Sequence, residues 1–496
     1  MTESKESRSI AKTNLVFGGV KIFQMLVALV KNKIVAVLLG PAGMGVQSLL
    51  ITTINTIYQL ANLGVPQSSV RELAIQKTEE GKSKVLASIN LLSIILGVLA
   101  GFFSLVFSKQ LSYLVFSSYE YQICFIIISL ALFFESISGC EIAILQGLRE
   151  TRRLAVASLF GAVLALVISV PLYYVWRVRA IPYVLSTGYA LSAVVYYIYR
   201  KKKIRPIRKY SIKEVKSSMR SILQLGVTLM ISNCIMSLLS MALNLVISKT
   251  GSYDDVGYYQ AAYNCTYSFI TILIAILASD YYPRLSEKIG DNEGTCGIIS
   301  TQMRLFFFVL MPIISFIVCF PHAIVTILYS AKFYSIELPI QLMGIALIFR
   351  VIWQIFSYVI LAKGDRKAFL CLDAFLGNGL FFVGNIVGFY FWGLRGLSIS
   401  YLLMSLVVML LLQTYVRLKY KLPVSFDIIL KSVAFVFFSL FVVWFSIQYN
   451  SLFAIFLKVL YFGIAVYFCL VSLQKELDIV GVVKNFVKNS NIRLFK

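Results

Sequence analysis

The stretch "VKIFQMLVALVKNKIVAVLLGPAG", residues 20–43, indicates the solvent in which this chain folds. It is predominantly apolar over about 20 residues, the length that a helix needs to cross the hydrocarbon core of a bilayer. The same stretch carries Lys21, Lys31 and Lys33. A charged side chain at the centre of a membrane helix costs about 2.5–3.5 kcal/mol on insertion scales. The sequence therefore predicts a membrane helix whose lysines serve a function.

The composition extends this prediction to the whole chain. The 496 residues are 59% hydrophobic and only 14% charged, about half the charged share of a typical globular protein. We predict an all-α polytopic membrane protein with about 14 transmembrane helices. The first apolar stretch is longer than that of a cleavable signal peptide, so we expect it to remain. The predicted helices cover residues 14–39, 45–66, 85–107, 121–145, 154–176, 182–199, 221–248, 257–283, 303–320, 337–361, 368–391, 396–416, 427–447 and 453–473.

Positive charge is unevenly distributed along the chain. The 46 Lys and Arg against 22 Asp and Glu give a formal net charge of +24. Most of these cations fall on the side of the two predicted termini, and positive loops of membrane proteins lie in the cytoplasm. We therefore expect both termini to be cytoplasmic. The basic run "RKKKIRPIRKY", residues 200–210, is interpreted as a loop that binds lipid headgroups, and nucleic acid is not an expected partner.

Several classes of site have no sequence support. The eight cysteines form no CxxC pair, and His322 is the single histidine. This argues against a disulfide framework and against a Cys/His metal site, so we expect no metal and no cofactor. The segment "GPAGMG", residues 40–45, lacks the Lys-Ser/Thr ending of a phosphate-binding loop. The missing nucleotide motif therefore favours a secondary transporter without its own ATPase.

An internal repeat organises the predicted helices. The segment at 43–59 aligns with the segment at 255–271 at an offset of 212, and Arg71 matches Arg284 at 213. Shared offsets favour a duplication into two six-helix bundles related by a parallel pseudo-two-fold axis along the membrane normal. Two extra C-terminal helices would follow. The predicted domains are an N-terminal lobe at 1–199, a basic cytoplasmic linker at 200–220, a C-terminal lobe at 221–416, and the extra helices with a basic tail at 427–496.

Polar residues follow one face of several helices at spacings of three and four. In the second helix they are Ser48, Thr52, Asn55, Gln59 and Asn62, and in the eighth they are Gln260, Asn264, Tyr267 and Thr271. Ordinary helix packing explains any single stripe equally well. Stripes at matching places in both halves favour a water-filled cleft between two lobes.

Buried charges suggest what enters such a cleft. Lys21, Gln24, Lys31 and Asn32 share one arc of the first helix, whereas Lys33 lies off this face. Glu135 and Arg350 lie near the middle of the fourth and tenth helices, with Asp373 and Glu141 nearer helix ends. An ion pair of Glu135 with Lys31 or Arg350 is the structural alternative. An excess of buried cation predicts an anionic substrate, and the candidate substrate-binding residues are Lys21, Gln24, Lys31, Asn32, Thr52, Asn55, Gln59, Glu135, Asn264, Tyr267 and Arg350.

Five segments resemble those of bacterial polysaccharide flippases, which include the O-antigen flippases of lipopolysaccharide synthesis. They are "KNKIVAVLLGPAGMGV" (31–46), "LGVPQSSVRELA" (63–74), "LQGLRETRRLA" (145–155), "VGYYQAAYN" (256–264) and "YYPRLSE" (281–287). Such flippases belong to the multidrug, oligosaccharidyl-lipid and polysaccharide exporter superfamily. The resemblance covers nearly the whole chain in helix order.

This resemblance implies a function. Members move undecaprenyl-diphosphate-linked oligosaccharides between the leaflets of the bacterial cytoplasmic (inner) membrane by alternating access. Deep cations such as Lys31 and Arg350 would fit the diphosphate. The expected partners are the lipid-linked oligosaccharide, membrane lipids and a coupling ion, either a proton or sodium, and we expect the protein to act as a monomer.

Two other classes of protein are alternatives to a flippase. A drug exporter of the same superfamily that takes cations would need spare buried carboxylate, and this chain has more deep cation. A membrane enzyme of polysaccharide assembly would need a sizeable outer loop or an acidic cluster. The longest predicted outer loop, at 321–336, has one acid at its edge, Glu337. We therefore expect a transporter and not an enzyme.

Overall fold

A computed structural model describes residues 2–201, 210–268, 271, 281–422, 426–449 and 452–477, and for residues 2–22 it describes the backbone alone. Within these residues every regular element is a helix. In this part of the chain, ten segments are long and apolar enough to cross a membrane. The prediction of an all-α polytopic membrane protein is confirmed.

Fifteen α-helices of eight residues or more occur among the described residues, and they are numbered in chain order. They are α1 Thr2–Ala61, α2 Val65–Ile75, α3 Glu79–Val106, α4 Ser108–Phe116, α5 Gln122–Gly147, α6 Thr151–Trp176, α7 Ile181–Lys201, α8 Ile212–Thr250, α9 Tyr253–Tyr263, α10 Asn292–Cys319, α11 Pro321–Leu328, α12 Glu337–Ala362, α13 Asn378–Tyr420, α14 Phe426–Gln448 and α15 Leu452–Leu477. Short 3₁₀ turns occur at Arg177–Ala180 and Ala331–Ile336, and wider π-helical turns occur at Asn264–Ser268 and Phe369–Gly377.

The ten apolar segments are fewer than the fourteen predicted helices mainly because some segments cover two predicted helices. Three of them, Phe23–Ala61, Thr151–Lys201 and Phe369–Tyr420, each contain two predicted helices. The predicted helix at 257–283 falls partly on residues 269–270 and 272–280, which lie outside the described residues. The number fourteen and the six-plus-six repeat stay predictions.

Glycines break the longest helices at the predicted boundaries. Gly40 takes φ 71° and ψ −172° inside α1, and Pro41 follows it. Proline removes a helical donor and disfavours helical backbone at the preceding residue. Gly393, with φ 57°, breaks α13 without a proline after it. Left-handed backbone favours glycine, so these breaks are encoded locally.

Other helix ends differ from the prediction. The predicted helix at 45–66 ends at Ala61, because Leu63 and Gly64 take positive φ angles of 51° and 67°. The Asn62 side chain accepts a hydrogen bond from the Gly64 amide at 2.8 Å and stabilises this turn. The short helices α2, α4 and α11 were not predicted, and the stretch predicted as an outer loop at 321–336 contains α11 and a 3₁₀ turn.

The backbones of α1 and α9 come into direct contact. A Cβ atom on Gly45 would lie 1.9 Å from the carbonyl oxygen of Tyr253, and one on Gly257 would lie 2.0 Å from that of Pro41. No real side chain fits at such a distance. Glycine is therefore required at both positions for this approach.

The chain divides into two compact units, Met1–Gln260 with Ile327–Phe333, and Ala261–Thr326 with Tyr334–Lys496. The first unit has a core of α2, α3, α5 and α8, centred on side chains such as Val65, Ile89 and Ile144. In the second unit, α12 is buried along most of its length and packs against α10 and α13. The predicted lobes and linker stay predictions, and residues 202–209 and 478–496 lie outside the described residues.

Candidate functional site

Arg350, in the middle of α12, lies among aromatic rings in the second unit. Its guanidinium carbon is 4.2 Å from the ring centre of Trp353, 4.8 Å from Phe381 and 5.0 Å from Tyr267. Its Nη2 donates a hydrogen bond to the Tyr267 hydroxyl at 3.3 Å. A cation over an aromatic face gains about 2 kcal/mol when both are desolvated. Three ring faces therefore hold this charge without neutralising it.

The charge of Arg350 is not balanced locally. Among the described residues, no carboxylate lies within 4.0 Å of it, and its buried Nη1 atom has no hydrogen-bond partner there. A buried donor that lacks a partner is costly, and a buried charge is normally paired. A role of Arg350 in substrate binding stays a prediction.

Two π-helical turns flank this cluster. Tyr267 belongs to Asn264–Ser268, and Asp373 belongs to Phe369–Gly377. Such turns are rare and often occur at functional sites. The Asp373 carboxylate accepts hydrogen bonds from Trp353 Nε1 at 2.5 Å and from Ser357 Oγ at 2.6 Å, which ties the second π turn to α12.

Sequence reasoning found only part of this site. Arg350 and Tyr267 were predicted and are in contact, whereas the roles of Trp353, Phe381 and Asp373 were missed. Trp353 lies three positions after Arg350, so the two share a helix face, and this spacing was an available signal. Phe381 comes from another helix, and no local pattern marks it.

In the first unit, Lys31 and Glu135 are both half-buried. Glu135 interacts electrostatically with the hydroxyls of Tyr58 and Tyr189. The ion pair between Glu135 and Lys31 that we considered as a structural alternative is not formed, since no salt bridge joins them in the part of the chain that the structure describes. Their role in binding substrate stays a prediction.

Glu141, by contrast, has a structural partner. Its carboxylate accepts two hydrogen bonds from Arg200, at 2.5 and 2.8 Å, and both side chains are at most 5% exposed. The Asn90 amide oxygen accepts a third bond from Arg200 at 3.3 Å. This pair joins α5 to the end of α7 and removes Glu141 from the set of available charges.

Part of the polar stripe that follows the break at Gly40 in α1 makes contacts between helices. Ser48 Oγ donates to Gln260 Oε1 at 3.0 Å, and Asn244 Nδ2 donates to Ser48 Oγ at 3.4 Å. Thr56 and Ser237 share a bond of 3.0 Å between their hydroxyls. These contacts join α1 to α8 and α9.

The remaining predicted residues have varied environments. Gln24 is hydrogen-bonded to Ser158 of α6, and the Thr52 hydroxyl donates to the carbonyl oxygen of Ser48 within its own helix at 2.9 Å. Asn55 is exposed, Asn32, Gln59 and Asn264 are half-buried, and the side chain of Lys21 lies outside the described residues.

Comparison with solved structures shows the fold. An inward-facing multidrug resistance MATE family transporter of the MOP superfamily matches at a TM-score of 0.70 and 17% identity, over 82% of this chain and 97% of that chain. The inward closed lipid II flippase MurJ matches at 0.69 and 15%, over 93% and 99%. A MOP superfamily transporter from Pyrococcus furiosus, described as having a binding pocket of reverse polarity, matches at 0.59 and 16%, over 82% and 95%.

Comparison of sequences shows the family. No curated protein matches this chain significantly. The profile of a family described as polysaccharide biosynthesis protein matches residues 34–338, which is more than half of the chain. The chain has the fold of the MOP superfamily, and it belongs to the polysaccharide biosynthesis protein family.

Proposed function

We propose that this protein is a flippase that moves undecaprenyl-diphosphate-linked oligosaccharides across the cytoplasmic membrane by alternating access. The observation that carries the proposal is the half-buried Arg350, whose guanidinium lies among aromatic rings and whose buried Nη1 atom has no hydrogen-bond partner among the described residues. Arginine binds phosphate through charge-assisted hydrogen bonds that are about twice as strong as neutral ones. The rings of Tyr263 and Tyr267, 5.2 Å apart, offer apolar faces for a sugar.

The family and the fold support this substrate class. The matching family takes part in polysaccharide biosynthesis, and one structural neighbour is a flippase for lipid II. Lys31 of the first unit is proposed separately as a substrate-binding cation. The further parts of the proposal are a bacterial inner-membrane location, cytoplasmic termini, a monomer, and a proton or sodium as the coupling ion.

A drug exporter that takes cations is the second candidate function. Glu135 favours it, because this half-buried carboxylate has no salt bridge within the described part of the first unit. Arg350 opposes it, since a half-buried cation repels a cationic drug. Glu135→Gln tests this candidate, because it should abolish export of a cationic drug if Glu135 holds the cation.

The test uses a strain that lacks its polysaccharide flippase and measures restored surface polysaccharide and membrane protein level together. Arg350→Gln should abolish restoration at normal protein level, while Arg350→Lys should retain part of it because it keeps the charge. Arg395→Gln is the matched control, since Arg395 is exposed, and it should restore fully. Full restoration by Arg350→Gln at equal protein level would refute the proposal.

A further inference from the structure

One carboxylate oxygen holds two side chains of the helix that carries Arg350. Asp373 Oδ1 accepts from Trp353 Nε1 at 2.5 Å and from Ser357 Oγ at 2.6 Å. The two donors lie four positions apart on α12, so they share a face one turn apart. Asp373 itself belongs to the π-helical turn Phe369–Gly377. This oxygen therefore fixes the indole of Trp353 relative to the neighbouring segment.

The fixed indole is the nearest ring to the guanidinium. The guanidinium carbon of Arg350 lies 4.2 Å from the ring centre of Trp353, closer than to Phe381 or Tyr267. Phe381 packs edge-on against the same indole, with ring centres 6.2 Å apart. A ring held at its Nε1 atom and at its edge cannot rotate freely, so the guanidinium plane stacked on it is also held.

The position of Asp373 is itself supported. The side chain of Asn378, the first residue of α13, donates to the carbonyl oxygen of Asp373 at 2.7 Å. The backbone N–H of Asn378 also donates to this carbonyl oxygen, so Asn378 holds the end of the π turn through two donors. The carboxylate is thus presented to α12 by a turn that is closed at its C-terminal end.

We propose that Asp373 is a positioning residue for Arg350 and acts through the indole of Trp353, an inference that rests on the proposed role of Arg350 in binding the diphosphate. Asp373 makes no direct ion pair with Arg350 within the described residues. The guanidinium therefore keeps its Nη1 atom for the substrate. A hydrogen bond from the indole to a carboxylate also polarises the ring, which strengthens its attraction for the stacked cation.

Transport measurements with two replacements of Asp373 test the proposal. Asp373→Ala leaves the indole N–H and the Ser357 hydroxyl without an acceptor, so transport should fall about tenfold. Asp373→Asn keeps an amide oxygen at the same place and should retain most transport. Equal loss in both variants would show that the charge itself is needed and would overturn the positioning role, as would normal transport by Asp373→Ala.

A spectroscopic measurement separates this inference from the proposed function. The chain has four tryptophans, and replacing Trp176, Trp392 and Trp444 by Phe leaves Trp353 as the reporter. In the purified protein, Asp373→Ala should increase quenching of Trp353 fluorescence by acrylamide and lower its anisotropy, while Asp373→Asn should not. Unchanged fluorescence in Asp373→Ala would overturn the inference, whatever the transport result for Arg350→Gln.

A matched control excludes a general effect of losing a carboxylate. Asp427 is an exposed residue that forms an ion pair with Lys431 at 2.7 Å, one turn away on α14. Asp427→Asn should leave both transport and Trp353 fluorescence unchanged. A change in fluorescence as large as that of Asp373→Ala would show that the reporter does not monitor the Asp373 bond and would count against the proposal.

Discussion

Gly45 and Gly257 lie 212 positions apart, and each leaves room for a backbone carbonyl of the other's helix. The contact is reciprocal, because Gly45 faces the carbonyl of Tyr253 and Gly257 faces that of Pro41, which are themselves 212 apart. A two-fold axis relates contacts in this way, because each contact between two residues is repeated by the two residues that correspond to them. The Ser48–Gln260 hydrogen bond joins another pair separated by 212. The duplication into two six-helix bundles stays a prediction.

Adding a methyl group at this contact should destabilise the protein. In Gly45→Ala or Gly257→Ala the Cβ atom would meet a backbone carbonyl that cannot move aside, and overpacking of this kind costs about 1–3 kcal/mol. Gly188→Ala is the control, because nothing lies within 4 Å of its would-be Cβ and alanine favours helix. Thermal unfolding in detergent should show a lowered Tm for the first two variants alone. A Tm equal to that of Gly188→Ala would contradict the close contact.

The sequence was most informative where a local rule decides the structure. The Gly40–Pro41 pair and Gly393 mark helix breaks because of their backbone conformations. Arg350 could be recognised because a charge in the middle of a membrane helix is energetically costly. The aromatic surroundings of Arg350 depend on Phe381 from another helix and on a π turn, and neither has a local signature. The Glu141–Arg200 pair was missed for the same reason, since its partners lie 59 positions apart.

Breaking the Glu141–Arg200 pair should cost more than breaking an exposed pair. Glu141→Ala leaves the Arg200 charge buried and unpaired, which costs about 3–5 kcal/mol. Asp427→Ala removes an exposed partner of Lys431 and should cost less than about 1 kcal/mol. The membrane protein level and the Tm of the purified variants report the difference, and similar values for the two would argue against a buried pair.

Asp365 should make stability depend on pH in the acid range. Asp365 lies outside the membrane-spanning segments and is in contact with solvent. Hydrogen bonding by Lys419 lowers the pKa of the Asp365 carboxyl to about 2. A carboxyl whose pKa is lower in the folded state stabilises above its unfolded pKa of about 3.9, and this contribution is lost as pH falls from about 4 to 2. The Tm of Lys419→Met should therefore fall less than the Tm of the wild type over that pH range. Parallel curves would contradict the coupling.

Neighbouring positions on α1 should differ in their access to water. Asn55 is exposed, whereas Thr56 is 4% exposed and bonded to Ser237. In a background without native cysteines, Asn55→Cys should react with a small soluble thiol reagent and Thr56→Cys should not. Protection of both positions would mean that the Asn55 face contacts lipid or protein rather than water.

The central claim is that Arg350 binds the diphosphate of the substrate. Its most direct test is the rate at which purified protein in liposomes moves an undecaprenyl-diphosphate-linked oligosaccharide between leaflets, for the wild type, Arg350→Lys, Arg350→Gln and the Arg395→Gln control. We predict that Arg350→Gln is at least about tenfold slower, corresponding to about 1.4 kcal/mol of lost interaction, that Arg350→Lys is intermediate, and that Arg395→Gln matches the wild type. Equal rates for Arg350→Gln and the wild type at equal reconstitution would contradict the claim.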